Sequence, residues 1–166
     1  MKKEFITYGF KFKDKSEIVT DLTVSNVFVN KPKRALWGSP IDAEFGWKEW
    51  ATMENFISSE NDYWKRQTIW ELEDDKIFKI QNKDDINKLY NIAGNFTTTC
   101  FLDYRKLKQN GYAALQLIDF VLPKVITFSY VKDLDDPWLE HKVRGFTLWD
   151  CESIVVLDPE SITIKN

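Results

Sequence analysis

The chain has 166 residues and a formal net charge of −3, with 23 Lys and Arg against 26 Asp and Glu. Hydrophobic residues make up 43% and aromatic residues 15%, so many large apolar side chains need burial, which excludes a disordered chain. No run approaches the ~18 consecutive apolar residues of a membrane helix, and the first residues lack the apolar block of a signal peptide. We therefore expect a single domain over residues 1–166, located in the cytoplasm and not in a membrane.

Side chains for metal and nucleophile chemistry are scarce. The one histidine, His141, cannot build a His-rich metal site or a proton relay, and we expect it on the surface. Cys100 and Cys151 form no CxxC pair and are predicted to be buried, reduced thiols. No metal site is predicted, and Ser-His-Asp and Cys-His enzymes are disfavoured. Any chemistry has to use carboxylates, hydroxyls and aromatic rings.

Strand-forming segments are spread along the whole chain. Segments rich in β-branched and aromatic residues, bounded by charged or turn-forming residues, predict strands. These segments are residues 4–10, 26–30, 68–72, 76–80, 112–117, 124–131, 145–149, 153–157 and 162–164. The last of them is expected at a sheet edge. Residues 17–22 are compatible with a short strand or with a helical turn.

Helical periodicity and capping residues predict two or three helices. Asp42 is expected to cap the first helix, which extends to about Ile57. A second begins at residues 83–85, and a third covers 102–109 and ends at Asn110-Gly111. Because short strands dominate and no regular βαβ alternation occurs, the predicted fold class is α+β.

Polar and glycine-containing segments predict the interruptions between these elements. Lys31-Pro32-Lys33-Arg34 is interpreted as a turn or linker, and Gly38-Ser39-Pro40 as a break after a short apolar step. The three basic residues of the first segment are predicted to be solvated. The alternative is that they contact the phosphates of a dinucleotide.

Two carboxylates precede the most apolar segment of the chain. Asp150 and Glu152 are separated by one residue, directly before residues 153–157. In an extended backbone, positions i and i+2 face the same side, so both carboxylates would share a face. Such a pair raises the pKa of one carboxyl group or holds two groups of a substrate. A solvated pair at a strand start is the alternative.

Four segments, in chain order, resemble motifs of the ADP-ribosyltransferase-like fold family. Thr7-Tyr8-Gly9-Phe10 falls where the family carries a His-Gly or Arg-Gly step, here with Tyr8 in place of the basic residue. Leu36-Trp37-Gly38-Ser39 is similar to the second motif, an apolar strand ending in serine. Gly111-Tyr112-Ala113-Ala114-Leu115 resembles a Gly-Tyr-Asp-Ala-Ile strand, with Ala113 in place of Asp. Residues 152–162 resemble the strand of the catalytic glutamate, and Asp150-Cys151-Glu152 is similar to the Gln/Glu-x-Glu pattern.

The resemblance implies an α+β fold of split mixed and antiparallel sheets that uses NAD as a substrate. It implies transfer of ADP-ribose to a protein or nucleic-acid acceptor, or hydrolysis of NAD, as in toxins, effectors and phage–host factors. An antitoxin or a host protein is an implied partner. The implied catalytic residues are Glu152, which stabilises positive charge on the ribose, Asp150, which positions or deprotonates the acceptor, and Ser39, which orients the ribose or the glutamate. The implied NAD-binding residues are Tyr8, Gly9, Arg34, Trp37 and Ser39.

A second function class remains open at this point. Trp47 and Trp50 lie three residues apart on the first predicted helix and are interpreted as packing residues, with a ligand mouth as the alternative. The unusual Tyr8 in the first motif favours a non-enzymatic α+β module that binds a partner protein through exposed aromatic residues. Rossmann and P-loop sites are disfavoured because their Gly-rich loops do not occur.

Overall fold

The computed structural model describes residues 1–26, 31–95, 101–118, 142, 146, 149 and 151–165. Strands and helices alternate irregularly in these residues, which confirms the α+β class. The strands are β1 (Lys2–Tyr8), β2 (Asp21–Asn26), β3 (Lys31–Arg34), β4 (Leu36–Pro40), β5 (Gln67–Glu73), β6 (Ile77–Ile80), β7 (Gly94–Asn95), β8 (Phe101–Leu102), β9 (Ala114–Leu117), β10 (Ser153–Val156) and β11 (Thr163–Lys165). The helices are α1 (Trp47–Met53), α2 (Lys83–Ala93) and α3 (Tyr104–Gln109).

Seven of these strands form one mixed sheet in the order β11-β5-β1-β4-β10-β9-β6. All neighbours are antiparallel except β6 and β9, which are parallel. The edge position of β11 confirms the expected closing edge strand. Strands β2 and β3 form a separate two-stranded sheet, as do β7 and β8. Strands β1, β4 and β10 are neighbours in the sheet, so segments that are distant in sequence lie side by side at its centre.

The two faces of the sheet carry separate hydrophobic clusters. Along β10, Ile154 and Val156 belong to one cluster and Val155 to the other, as the two-residue period of a strand requires. Helices α2 and α3 cover the face of Val155. On the opposite face, Phe5 and Trp70 are both fully buried, and their rings stack at 4.7 Å.

Local capping explains the two helices that the sequence predicted well. Helix α2 begins after Asn82, whose side-chain oxygen accepts a hydrogen bond from the backbone N–H of Asp85 at 3.1 Å. Helix α3 begins after Asp103, which caps the N–H of Arg105 at 3.1 Å. It ends as predicted before Gly111, whose φ of +93° suits a residue without a Cβ atom.

The predicted first helix is wrong at both ends. Helix α1 begins at Trp47, after Gly46, and not at Asp42, because the side chain of Glu49 accepts a hydrogen bond from the N–H of Gly46 at 3.1 Å. It ends at Met53, and Asn55 then takes a positive φ of 53°. Both ends therefore differ from the boundaries that periodicity predicted.

Two predicted interruptions are strands. Residues 31–34 form β3, which pairs with β2, and residues 38–40 lie inside β4. A residue without a Cβ atom suits position 38 in the centre of the sheet, because a Cβ atom there would lie 2.9 Å from the carbonyl oxygen of Ile6. Long-range pairing thus overrides the local turn signals. Residues 15–17 form a single 3-10 turn and β2 starts at Asp21, so each interpretation of segment 17–22 is correct for a part of it.

Several predictions fall on residues outside the described part. They concern residues 27–30 and 124–131, most of 145–149, Cys100, His141 and Asp150.

Candidate functional site

A cavity of about 540 Å³ is lined by residues of β1, β4 and β10 and of the segments around them. This volume lies in the usual range for small-molecule sites, about 300–1,000 Å³. Most of the lining is aromatic or aliphatic. The aromatic lining residues are Tyr8, Phe10, Phe12, Trp37, Trp47, Trp50, Tyr63 and Trp149. Such a wall suits a flat, apolar group.

The indole rings of the cavity contact one another in two pairs. Trp37 and Trp149 meet edge to face, with ring centroids 4.8 Å apart. Trp47 and Trp50 stack at 5.1 Å on α1. Both residues are half-buried and pack against each other at the cavity wall, so the packing interpretation is confirmed, and the ligand mouth stays a prediction.

Few polar or charged side chains line the cavity. Lys31 holds its ammonium nitrogen 5.4 Å from the centroid of the Trp37 ring, and Glu17 also lines the cavity. Burial, and secondly the negative charge of Glu49, raise the pKa of Tyr8 above its ordinary value. The Tyr8 hydroxyl therefore stays protonated at neutral pH and can donate a hydrogen bond.

Ser39 contacts Glu152 at its main chain. The hydroxyl of Ser39 donates to the carbonyl oxygen of Glu152 at 3.0 Å and accepts from the N–H of Trp47 at 2.9 Å. The N–H of Glu152 donates to the carbonyl oxygen of Phe45 at 3.1 Å. Ser39 is 2% exposed. The two hydrogen bonds of its hydroxyl group join α1 to Glu152, the residue that precedes β10.

Replacing Ser39 by Ala is therefore expected to lower the free energy of unfolding by about 1–3 kcal/mol, because buried polar groups lose a partner. Urea denaturation measures this loss. Ser59→Ala is the control. Because Ser59 is exposed, this substitution should change the free energy of unfolding by no more than about 0.5 kcal/mol. Equal stability of the two variants would contradict the bridging role of Ser39.

The carboxylate of Glu152 is held by a buried amide. Gln116, 2% exposed on β9, donates from Nε2 to Oε1 of Glu152 at 3.1 Å. Gln116 was not among the predicted site residues, although a single amide in the otherwise apolar strand β9 is a usable signal in the sequence.

The predicted site residues divide into three groups. Tyr8 and Trp37 line the cavity. Ser39, Glu152, Gly9 and Arg34 are not among its lining residues, although Cys151 and Ser153, on either side of Glu152, are. Gly9 packs against the cavity residue Tyr63: a Cβ atom on it would lie 2.2 Å from the Tyr63 ring. Arg34 is exposed and lies opposite Asp21 in the β2–β3 pair. Asp150 lies outside the described residues.

Within the described part of the chain, two buried side-chain atoms have no hydrogen-bond partner. They are the indole nitrogen of Trp149 and the amide oxygen of Gln116. Buried polar atoms in this state are rare and call for an explanation, such as a ligand or ordered water. Both belong to residues at the cavity or beside Glu152.

Two kinds of feature are absent from the described residues. No group of three or more His, Cys, Asp or Glu side chains there is placed to hold a metal ion. No helix in the same residues is long and apolar enough to cross a membrane.

Comparisons with protein-family models, with curated proteins and with solved structures find no match to this chain.

Proposed function

We propose that the aromatic cavity binds the nicotinamide end of NAD and that the chain is an ADP-ribosyltransferase with the corresponding fold. The observation that carries this proposal is the cavity itself, in which Tyr8 and Trp37, from two separate sequence motifs, lie in one wall. A flat pyridinium ring is favourably placed against indole rings, because stacking and cation–π attraction both act on it. The partnerless indole N–H of Trp149 offers a donor to a ligand acceptor.

The reaction assigned to this site breaks the bond between nicotinamide and ribose. The bonding electron pair leaves with neutral nicotinamide, and the ribose carbon gains oxocarbenium-like charge. The carboxylate of Glu152 stabilises this charge. The acceptor, a protein side chain, a nucleic-acid base or water, then forms the new bond to that carbon and releases a proton. Asp150 is assigned to position or deprotonate the acceptor.

Three features of the sheet support this assignment. The motif strands β1, β4 and β10 are neighbours in the sheet. The hydroxyl of Ser39 is hydrogen-bonded to the main chain of Glu152. Cys151 and Ser153, the residues on either side of Glu152, line the cavity. A cytoplasmic setting belongs to the proposal, because Cys151 is a buried thiol and that compartment keeps thiols reduced. An antitoxin or a host protein is the proposed partner.

Titration calorimetry with NAD and chromatography of released nicotinamide test the proposal. Wild-type protein is expected to bind NAD and to release nicotinamide. Trp37→Ala should weaken binding about fivefold or more, because a lost stacking contact costs about 1–3 kcal/mol. Ile41→Ala is the control: Ile41 is an exposed apolar residue outside the lining, and its replacement should change the affinity by less than about twofold. Absence of NAD binding in the wild type would overturn the proposal.

A ligand-binding protein without catalysis is the second candidate. One observation favours it: the Glu152 carboxylate contacts Gln116 and is not part of the cavity lining. NAD binding without nicotinamide release, in the presence of acceptor proteins and nucleic acids, would support this candidate over the enzyme.

A further inference from the structure

An exposed aromatic cluster lies on helix α1 and on the turn that follows it. The rings of Trp47, Trp50 and Phe56 contact one another, with centroids 5.1, 6.0 and 6.0 Å apart in the three pairs. Phe56 is 68% exposed, and Met53, the last residue of α1, is 55% exposed. Single exposed apolar residues are normal in proteins, whereas contiguous exposed apolar surface marks a site of interaction. The cluster is therefore a candidate docking surface.

The turn after α1 holds the most exposed ring in place. Asn55 has a positive φ of 53°, and its N–H donates to the carbonyl oxygen of Thr52 at 3.1 Å. The N–H of Phe56 donates to the carbonyl oxygen of Ala51 at 2.8 Å. These two hydrogen bonds form a Schellman motif, and the contact of Phe56 with Trp50 is the apolar contact that often accompanies it. Because the turn is already formed, less conformational entropy is lost when a partner binds.

The segment that carries the cluster holds the negative charge of the chain. Residues 41–60 contain five acidic residues and one basic residue, which gives a net charge of −4. The other 22 basic and 21 acidic residues leave the rest of the chain at +1. A partner that meets this segment is therefore favoured when its own charge is positive.

Glu54 brings this negative charge to the aromatic rings. It directly follows α1, and residues three and four apart lie on one helix face, so Trp47, Trp50 and Glu54 are side by side. Lys48 lies beside this face, because adjacent positions on a helix point in different directions. Within the described part of the chain, Glu54 forms no ion pair, whereas Glu71 of β5 is paired with two lysines. The Glu54 carboxylate is thus available to a cationic partner group.

We propose that this face of α1 docks an arginine-containing basic segment of a partner protein. The face, which we call the aromatic–acidic surface, consists of Trp47, Trp50, Met53, Glu54 and Phe56. A guanidinium group stacks on aromatic rings through cation–π attraction, and a neighbouring carboxylate attracts its charge. Tryptophan, phenylalanine, methionine and arginine are also enriched at protein interfaces. Nucleic acids and anionic lipid surfaces fit less well, because the negative segment repels their phosphates.

The inference goes beyond the proposed function, since docking requires neither NAD nor a reaction. Three short peptides test it by titration calorimetry. They alternate glycine with arginine, with lysine, or with citrulline, which has the shape of arginine without its charge. Wild-type protein is expected to bind the arginine peptide about tenfold more tightly than the citrulline peptide, because charge and cation–π attraction are lost together. The lysine peptide should bind about threefold more weakly than the arginine peptide, because an ammonium group does not stack on aromatic rings.

Charge reversal at two positions shows whether the aromatic–acidic surface binds the peptide. Glu54→Lys should weaken binding of the arginine peptide about tenfold, because attraction becomes repulsion, and a lysine suits the end of a helix. Asp75→Lys changes the net charge equally at another exposed carboxylate and should alter the affinity by less than about twofold. Asp75 lies beyond the end of β5 that pairs with Lys2, whereas Trp50 lines the cavity with Tyr8, at the other end of β1.

Two substitutions of Phe56 test the aromatic part of the surface. Phe56→Ala should weaken binding of the arginine peptide about two- to fivefold, since one exposed cation–π contact is lost. Phe56→Tyr keeps a ring at this position and should retain the affinity within about twofold. The thermal midpoint of each variant shows that it is folded.

The outcomes separate this inference from the proposed function. Absence of peptide binding, equal binding of the arginine and citrulline peptides, or equal effects of Glu54→Lys and Asp75→Lys would overturn the inference. It would also be overturned if Phe56→Ala abolished a wild-type dimer in sedimentation, or binding to an oligonucleotide or to anionic vesicles, because the surface would then have another occupant. Peptide docking in a protein that does not bind NAD would overturn the proposed function alone.

Discussion

Replacing Glu152 by Gln is expected to lower the rate of nicotinamide release by about 100-fold or more, because it removes the negative charge to which the proposed function assigns the stabilisation of the transition state. NAD affinity should stay within about threefold of the wild type, since the carboxylate acts mainly on charge that develops during bond breakage. The substitution keeps an oxygen that can accept the hydrogen bond from Gln116. The loss of activity would therefore not be a loss of structure.

The measurement is the single-turnover rate of nicotinamide release at saturating NAD, with affinity determined separately by calorimetry. Glu44→Gln is the matched control: the same chemical change on an exposed residue two positions before Gly46, expected to keep the rate within about twofold. A Glu152→Gln variant that releases nicotinamide at the wild-type rate would contradict the catalytic role of Glu152. NAD binding retained in that variant would still support the cavity as the ligand site.

Local signals predicted those parts of the fold that local contacts build. Helix α2 has both a capping residue, Asn82, and apolar residues at helical spacing, so its start was correct. Helix α1 was misplaced because its first N–H groups are bound by Glu49 and by Ser39, which lies in another element. Strand β4 was interrupted in the prediction at Gly38, since neither its two partner strands nor the close approach of Ile6 can be deduced from neighbouring residues.

The candidate site shows the same division. The motif residues Tyr8 and Trp37 were identified from short segments, and pairing of β1 with β4 places both at the cavity. Trp149, which directly precedes the Asp150-Cys151-Glu152 motif in sequence, lines the same cavity. Tyr63 comes to the cavity from another part of the chain, and no pattern in the sequence signals its position there. Trp70 and Phe78, which lie on the predicted strands 68–72 and 76–80, are buried in the core, at 0% and 7% exposure. The aromatic excess therefore serves both the core and the cavity.

Replacing Trp70 by Ala is expected to lower the free energy of unfolding by about 3–5 kcal/mol, the usual cost of removing a buried aromatic side chain. Trp70 is 0% exposed, stacks on Phe5, and donates from its indole nitrogen to the hydroxyl oxygen of Thr7 at 3.0 Å. Thr7 in turn donates to the carbonyl oxygen of Trp37 at 2.7 Å, so the core residue supports the backbone of a cavity residue. The loss is a large part of the stability of an ordinary domain, about 5–15 kcal/mol.

Urea denaturation measures this loss, and two further variants locate its cause. Phe56→Ala removes an aromatic side chain that is 68% exposed and should cost no more than about 0.5 kcal/mol. Trp70→Phe keeps a ring against Phe5 but loses the hydrogen bond to Thr7. Its free energy of unfolding should therefore lie between those of Trp70→Ala and Phe56→Ala. Because Thr7 joins Trp70 to Trp37, Trp70→Phe should also weaken ligand binding in the cavity, whereas Ile41→Ala, at an exposed residue outside the lining, should not. A Trp70→Ala variant as stable as Phe56→Ala would show that Trp70 does not hold the sheet and the cavity wall together.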